Sequence, residues 1–136
     1  VTPGGAAGSI GVYAAHEDVS QALEREGVRV SLVSAGRYKT EGNQFEPLTE
    51  EGLATLQGRV DAYYQMFVAA VARGRNRAEA TVRNGFGEGR VLGAQAAVDA
   101  HLADKVGTLA EAIDRASRLS QRRARAQADA LRLRTA

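Results

Sequence analysis

Residues 9–34 read SIGVYAAHEDVSQALEREGVRVSLVS, and the change of pattern along this stretch decides the fold class. Residues 9–15 combine β-branched and aromatic side chains after a lead of Pro3, Gly4, Gly5 and Gly8, the composition of a buried strand. Residues 17–26 place Val19, Ala22 and Leu23 on one side and stop at Gly27, which predicts a short helix with a glycine terminator. Val28, Val30, Leu32 and Ser34 then alternate with Arg29, Ser31 and Val33, so a second strand follows. Strand, helix, strand is a βαβ unit, expected to carry parallel strands and a right-handed crossover. The class is therefore α/β.

Residues 35–48 (AGRYKTEGNQFEPL) have no period and hold two glycines, an asparagine and a proline. They read as a loop leaving a strand end, the place where α/β folds concentrate functional groups. From Thr49 the pattern becomes helical, with Leu53, Leu56, Val60, Tyr63, Tyr64, Phe67 and Val71 recurring every three or four residues. Thr49 is the expected N-cap, Glu50 and Glu51 complement the helix dipole, and the helix should end near Gly74. Asn76 with Glu79 suggests a second cap box and a short helix to about Asn84. After the turn at Gly85, Gly87 and Gly89, Val91 and Leu92 suit a short strand and residues 93–100 a small alanine-rich helix. Residues 102–106 should be extended. Thr108 with Glu111 then opens a last helix whose stripe is Leu109, Ala112, Ile113, Ala116 and Leu119.

Charge divides the chain. Residues 1–113 hold 11 basic and 14 acidic side chains, whereas residues 114–136 hold seven arginines against Asp114 and Asp129. We therefore expect a mildly acidic domain over 1–113 and a basic tail, helical or disordered, over 114–136. A solvated helix extension is the plainest reading of that tail. A scaffold-like extension comes next, and nucleic-acid contact ranks last because no aromatic residue interleaves the arginines. The chain has no cysteine, which removes disulfides, thiol nucleophiles and thiolate zinc sites. No apolar run approaches the roughly 18 residues that cross a bilayer. His16 and His101 stand far apart and outside any metal-ligand spacing, so neither a metal nor another cofactor is expected. Neither glycine-rich stretch continues into a phosphate-binding fingerprint, and no Gly-x-Ser-x-Gly elbow occurs. Glu41 and Glu46 flank a loop, where carboxylates are usually solvated.

Lys39 stands apart as the only lysine in the first hundred residues, placed in the loop after a strand. A lone lysine is ordinarily a solvated charge. Its surroundings, GSIGVYAAHEDVSQALEREGVRVSLVSAGRYKTEGNQFEPL over residues 8–48, nevertheless resemble the serine peptidases that include signal peptide peptidase A and the phage capsid-assembly proteases. In that family a Gly-Ser-Ile/Leu-Gly-Val strand, a helix, and a strand ending in Ser/Ala-Gly-x-x-Lys follow one another. The similarity runs over about residues 2–115. It continues through Gly89, Arg90 and Val91 to Ala103–Gly107, departing at Glu88, where the family commonly has Asp, and at Ala103 and Lys105. The loop after Lys39 looks nearer the phage branch.

The resemblance implies a ClpP/crotonase-like superhelical βαβ fragment with a long amphipathic helix and a basic C-terminal helix. It also implies a Ser/Lys catalytic dyad that hydrolyses peptide bonds through an acyl-enzyme. Carried over residue by residue, Lys39 falls on the general base and Ser9 on the serine that orients it. Ser9 could equally be a strand-end serine satisfied by backbone. A lysine at its ordinary value of about 10.4 is protonated at neutral pH and cannot accept a proton. Burial against Val33, Tyr38 and Phe45 is the local means expected to depress it. The family's nucleophile would lie about a dozen residues before Val1, and its oxyanion donors further upstream. Ser20, Ser31, Ser34, Ser117 and Ser120 do not match its context.

These residues are therefore expected to form the C-terminal half of a protease domain, truncated or completed by another segment. Its partners would be a polypeptide substrate, further copies of itself, and capsid or scaffold proteins. Its location would be cytoplasmic, or membrane-tethered through a segment beyond these residues. A non-catalytic assembly or scaffold module of the same fold is the rival from another class. One outcome follows directly from a base lacking its nucleophile. Residues 1–136 alone should neither turn over fluorogenic peptides nor become labelled by a serine-reactive phosphonate, and a labelled serine within them would overturn the assignment.

Overall fold

The computed structural model describes residues 1–134 and combines helices with one small antiparallel sheet. Its elements are β1 (Ala6–Gly8), α1 (Ser20–Arg25), α2 (Glu50–Arg75), α3 (Glu79–Gly85), β2 (Val91–Gly93), α4 (Ala94–Asp99) and α5 (Leu109–Arg134). They fall into two compact units: Ile10–Arg83 forms one, and Val1–Ser9 with everything from Asn84 onward forms the other.

In the discontinuous unit, β1 pairs antiparallel with β2, Ala6 opposite Gly93, Ala7 opposite Leu92 and Gly8 opposite Val91. One further bond, Ser9 N–H to the Arg90 carbonyl at 2.8 Å, extends the ladder. A side chain at residue 8 would press on the Arg90 carbonyl oxygen and lie 2.9 Å from Val91 Cα, so only glycine admits this approach. α4 packs against both strands. The buried residues of this unit are Phe86, Ala94 and Ala97.

The contiguous unit is organised by α2. Thr49 is its N-cap, the hydroxyl accepting from Gly52 N–H at 3.0 Å, with Glu50 and Glu51 in the first turn and Arg73 and Arg75 in the last. The covered face runs through Leu56, Val60, Tyr64, Val68 and Ala72, an i, i+4 row, whereas Leu53, Tyr63, Met66 and Phe67 stay exposed. From α3, the Arg83 guanidinium lies 5.3 Å from the centre of the Tyr64 ring.

Three helices end with the same device. A residue just past the helix bonds back to the last turn: Val28 N–H to Leu23 O, Arg77 N–H to Ala72 O, and Leu102 N–H to Ala97 O. The residue between them is left-handed in each case: Gly27, Asn76 and His101. Asn76 thus terminates α2 rather than opening α3, correcting the expected cap box; asparagine is favoured at both places. The Thr108–Glu111 box forms as expected. Glu111 Oε2 accepts from Thr108 N–H at 2.7 Å while Glu111 N–H donates to Thr108 Oγ at 3.2 Å. α5 then runs across residue 113 without a break and carries the basic tail.

The expected strands over 9–15 and 28–34 form no ladder, and the only strand pair among the described residues is antiparallel, not parallel. Alternation favours an extended backbone, but a strand exists only through a partner's N–H and C=O groups. Beyond the single bond from Ser9 to Arg90 no neighbouring strand engages these segments among the described residues, and Tyr13 is 89% and Val33 97% exposed. Residues 102–106 also lie outside any strand, although Gly107 N–H reaches the Val1 carbonyl at 2.9 Å.

Two outcomes test this description. Gly8→Ala should destabilise the β1–β2 pair by about 1–3 kcal/mol, whereas Glu88→Asn should stabilise it by up to about 1 kcal/mol, because Glu88 is left-handed (φ 48°) between Gly87 and Gly89. Chemical denaturation of both variants gives the sign. The Thr108 N–H and hydroxyl hold the Glu111 carboxyl below the ordinary glutamate range. A carboxylate lowered in the folded state stabilises above its unfolded value and ceases to do so as pH falls through the folded one. The first turn of α5 should therefore lose amide protection on acidification, and Glu111→Gln should flatten that dependence in hydrogen exchange read by NMR.

Candidate active site

Ser9 follows β1 at a reversal of the chain. Gly8 and Ser9 both have positive φ, 144° and 56°, and the left-handed conformation is uncommon for serine. The backbone bond from Ser9 to Arg90 fixes it there, and Ser9 is exposed. Ser9 belongs to the discontinuous unit and Lys39 to the contiguous one.

Lys39 sits in the middle of a run of turns. Lys39 N–H bonds to Gly36 O at 3.2 Å, Glu41 N–H to Tyr38 O at 3.2 Å, and Asn43 N–H to Thr40 O at 3.1 Å. Gly36 (φ 104°) and Gly42 (φ 71°) supply the left-handed steps that such a run needs. The ammonium-bearing side chain is exposed. The local burial expected of Val33, Tyr38 and Phe45 is not there: Val33 and Tyr38 are exposed and Phe45 half-buried. Arg37 stacks on the Tyr38 ring at 4.9 Å. The negative charge of Glu51 raises the Tyr38 hydroxyl above its ordinary value.

Asn43 holds the turn run together. Its side-chain amide donates to the Thr40 carbonyl at 2.8 Å and to Glu46 Oε2 at 3.1 Å, and its Oδ1 accepts from Phe45 N–H at 2.8 Å. Its own carbonyl accepts from His16 Nε2 at 2.8 Å. Beside it, Val19 N–H donates to Gln44 O at 2.9 Å, so the loop is tied twice to residues 16–19. At the other edge, a Cβ on Gly52 would come 3.3 Å from Glu41 Cγ and 3.0 Å from Leu48 Cδ1, so a bare backbone lets the loop settle on the start of α2. A cavity of about 210 Å³ beside the loop is lined by Arg37, Tyr38, Glu41, Asn43 and Glu51 among others.

The sequence pointed to Ser9 and Lys39 but passed over Asn43 and His16. A signal existed for the first, since Gly42-Asn43 is a turn dipeptide and asparagine commonly bonds the N–H two residues on. His16 had none, because its partner is a backbone carbonyl. Among the described residues no group of three or more His, Asp or Glu could hold a metal ion, and no helix is long and apolar enough to cross a membrane.

The chain is 37% identical over 113 residues to capsid assembly protease C of Escherichia phage lambda, covering 83% of this chain and 25% of that protein. It is 35% identical over 106 residues to head-tail preconnector protein GP5 of Enterobacteria phage P21, covering 78% of this chain and 21% of that one. The chain thus spans a quarter or less of the length of these two relatives. Peptidase family S49 matches residues 1–123, so that β1, the Lys39 loop, α2 and the turn before β2 all lie inside the matched region, and the chain belongs to that family.

Proposed function

We propose that these residues form the base-bearing part of a serine-type endopeptidase with a Ser/Lys dyad. Lys39 is its general base, Ser9 orients that base, and the surrounding fold is ClpP/crotonase-like. The observation that carries this reading is the setting of Lys39: a solitary lysine at the centre of a turn run that is bonded at each end and tied back to residues 16–19. A surface lysine with no task does not need so determined a backbone.

The chemistry is acyl transfer. The nucleophilic serine comes from polypeptide outside these residues. Its hydroxyl oxygen attacks the scissile carbonyl carbon as neutral Lys39 takes the proton, and the ammonium so formed protonates the departing amine. Lys39 then removes a proton from water, whose oxygen attacks the acyl-enzyme, and the serine leaves with that proton restored. Each half-reaction begins with an uncharged amine. Because Lys39 is exposed in this chain, its desolvation is supplied by polypeptide and substrate that cover it. The role proposed for Ser9 is to orient the lysine.

The names of two relatives, a capsid assembly protease and a head-tail preconnector protein, support capsid polypeptides as the substrate class in this reading, and the proposal includes action by several copies together. The basic tail over 114–136 is then an extension of the 1–113 domain toward scaffold or capsid partners. A non-catalytic assembly module would carry the same fold without turnover.

Measured in the complete protein, Lys39→Ala should lower kcat about a thousandfold. Lys39→Arg should do the same, since a guanidinium keeps its proton. Ser9→Ala should leave measurable turnover with kcat reduced about tenfold to a hundredfold. Full activity in Lys39→Ala, measured with a quenched fluorescent peptide, would refute the dyad. A complete protein that shows no turnover and no phosphonate labelling would favour the module.

A further inference from the structure

We infer that Asn43 is a positioning residue for the general base, and that His16 holds it in register. This rests on the reading of Lys39 as that base. Lys39 has no partner of its own in the turn run beyond its backbone N–H on Gly36 O, so the direction of its side chain depends on where the run of turns from residue 36 to residue 43 is anchored.

That anchor is concentrated at one residue. Thr40, next to Lys39, offers a single carbonyl, and Asn43 takes it with both its backbone N–H and its side-chain amide. The other amide hydrogen goes to Glu46 and Oδ1 takes Phe45 N–H, so every polar group of the Asn43 side chain is spent on the loop. No other residue type supplies two donors and one acceptor at that reach. Aspartate keeps the acceptor, loses both donors and sets a second negative charge beside Glu46; glutamine is one methylene too long. The loop so closed is fastened to the rest of its unit through the Asn43 carbonyl, which accepts from the half-buried His16 imidazole 27 residues earlier. Hydrogen bonds within a loop alone would make it compact. The bond to His16 gives it a fixed place.

A base moved by about 1 Å can lose a hundredfold in rate while the substrate still binds. In the complete protein, Asn43→Ala and His16→Leu should therefore each lower kcat about tenfold to a hundredfold, with KM within twofold. Activity is expressed per active site, counted by phosphonate labelling. His16→Gln, whose side-chain N–H can donate to the same carbonyl, should restore the rate relative to His16→Leu. A role confined to stability would lower the number of labelled sites and leave kcat per site unchanged, and that result overturns the inference. Should Asn43→Ala fail to fold, the two His16 variants decide alone. If Lys39→Ala itself keeps full activity, the dyad reading has failed. If Lys39→Ala is inactive while Asn43→Ala and His16→Leu behave as the parent, only the positioning role has failed.

Discussion

The close approach of two backbones at residue 8 is the constraint on which the placement of Ser9 depends. With no Cβ, Gly8 can lie against the Arg90 carbonyl and Val91 Cα, and the ladder closes over Ala6–Gly8 and Val91–Gly93. A two-stranded pair of this length is marginal by itself. It persists here because α4 packs on both strands and because Ser9 adds one more bond to Arg90. That bond holds Ser9 in a conformation serine seldom adopts, so its backbone placement depends on a glycine's missing side chain one residue earlier.

The Lys39 loop solves a different problem. It contains no regular ladder, and its position comes from side-chain-to-backbone bonds that are individually worth about 1 kcal/mol. Their effect is geometric more than energetic. The side-chain bonds of Asn43 remove alternatives that Gly36 and Gly42 would otherwise leave open, and His16 and Val19 join the loop to the segment before α1. The backbone that carries Lys39 is fixed in this way while its side chain stays exposed.

What could be read from the sequence divides along the range of the interactions. Thr49 capping α2, and Thr108 with Glu111 opening α5, are contacts within three residues, and the sequence contains both partners side by side. Gly27 was readable for the same reason. Asn76 was misassigned because an asparagine between two helices serves the end of one as readily as the start of the next; the bond from Arg77 to Ala72 decides it. His101 was invisible as a helix terminator, since histidine at positive φ has no pattern to announce it. The strands over 9–15 and 28–34 failed for the opposite reason. Their alternation was real, but pairing is a property of the neighbour, and β1 found its neighbour more than eighty residues away at Val91–Gly93.

The exposed flanks of those unpaired segments bear on the chemistry. Val28, Val30, Leu32 and Val33 lead directly into the Lys39 loop, and all four are exposed. Apolar side chains in an extended run are costly in water and ready to be covered. A cover laid on them would reach the loop next and remove solvent from Lys39 in the same step. The exposed run over 28–34 and the loop that carries Lys39 would then be covered by the same contact.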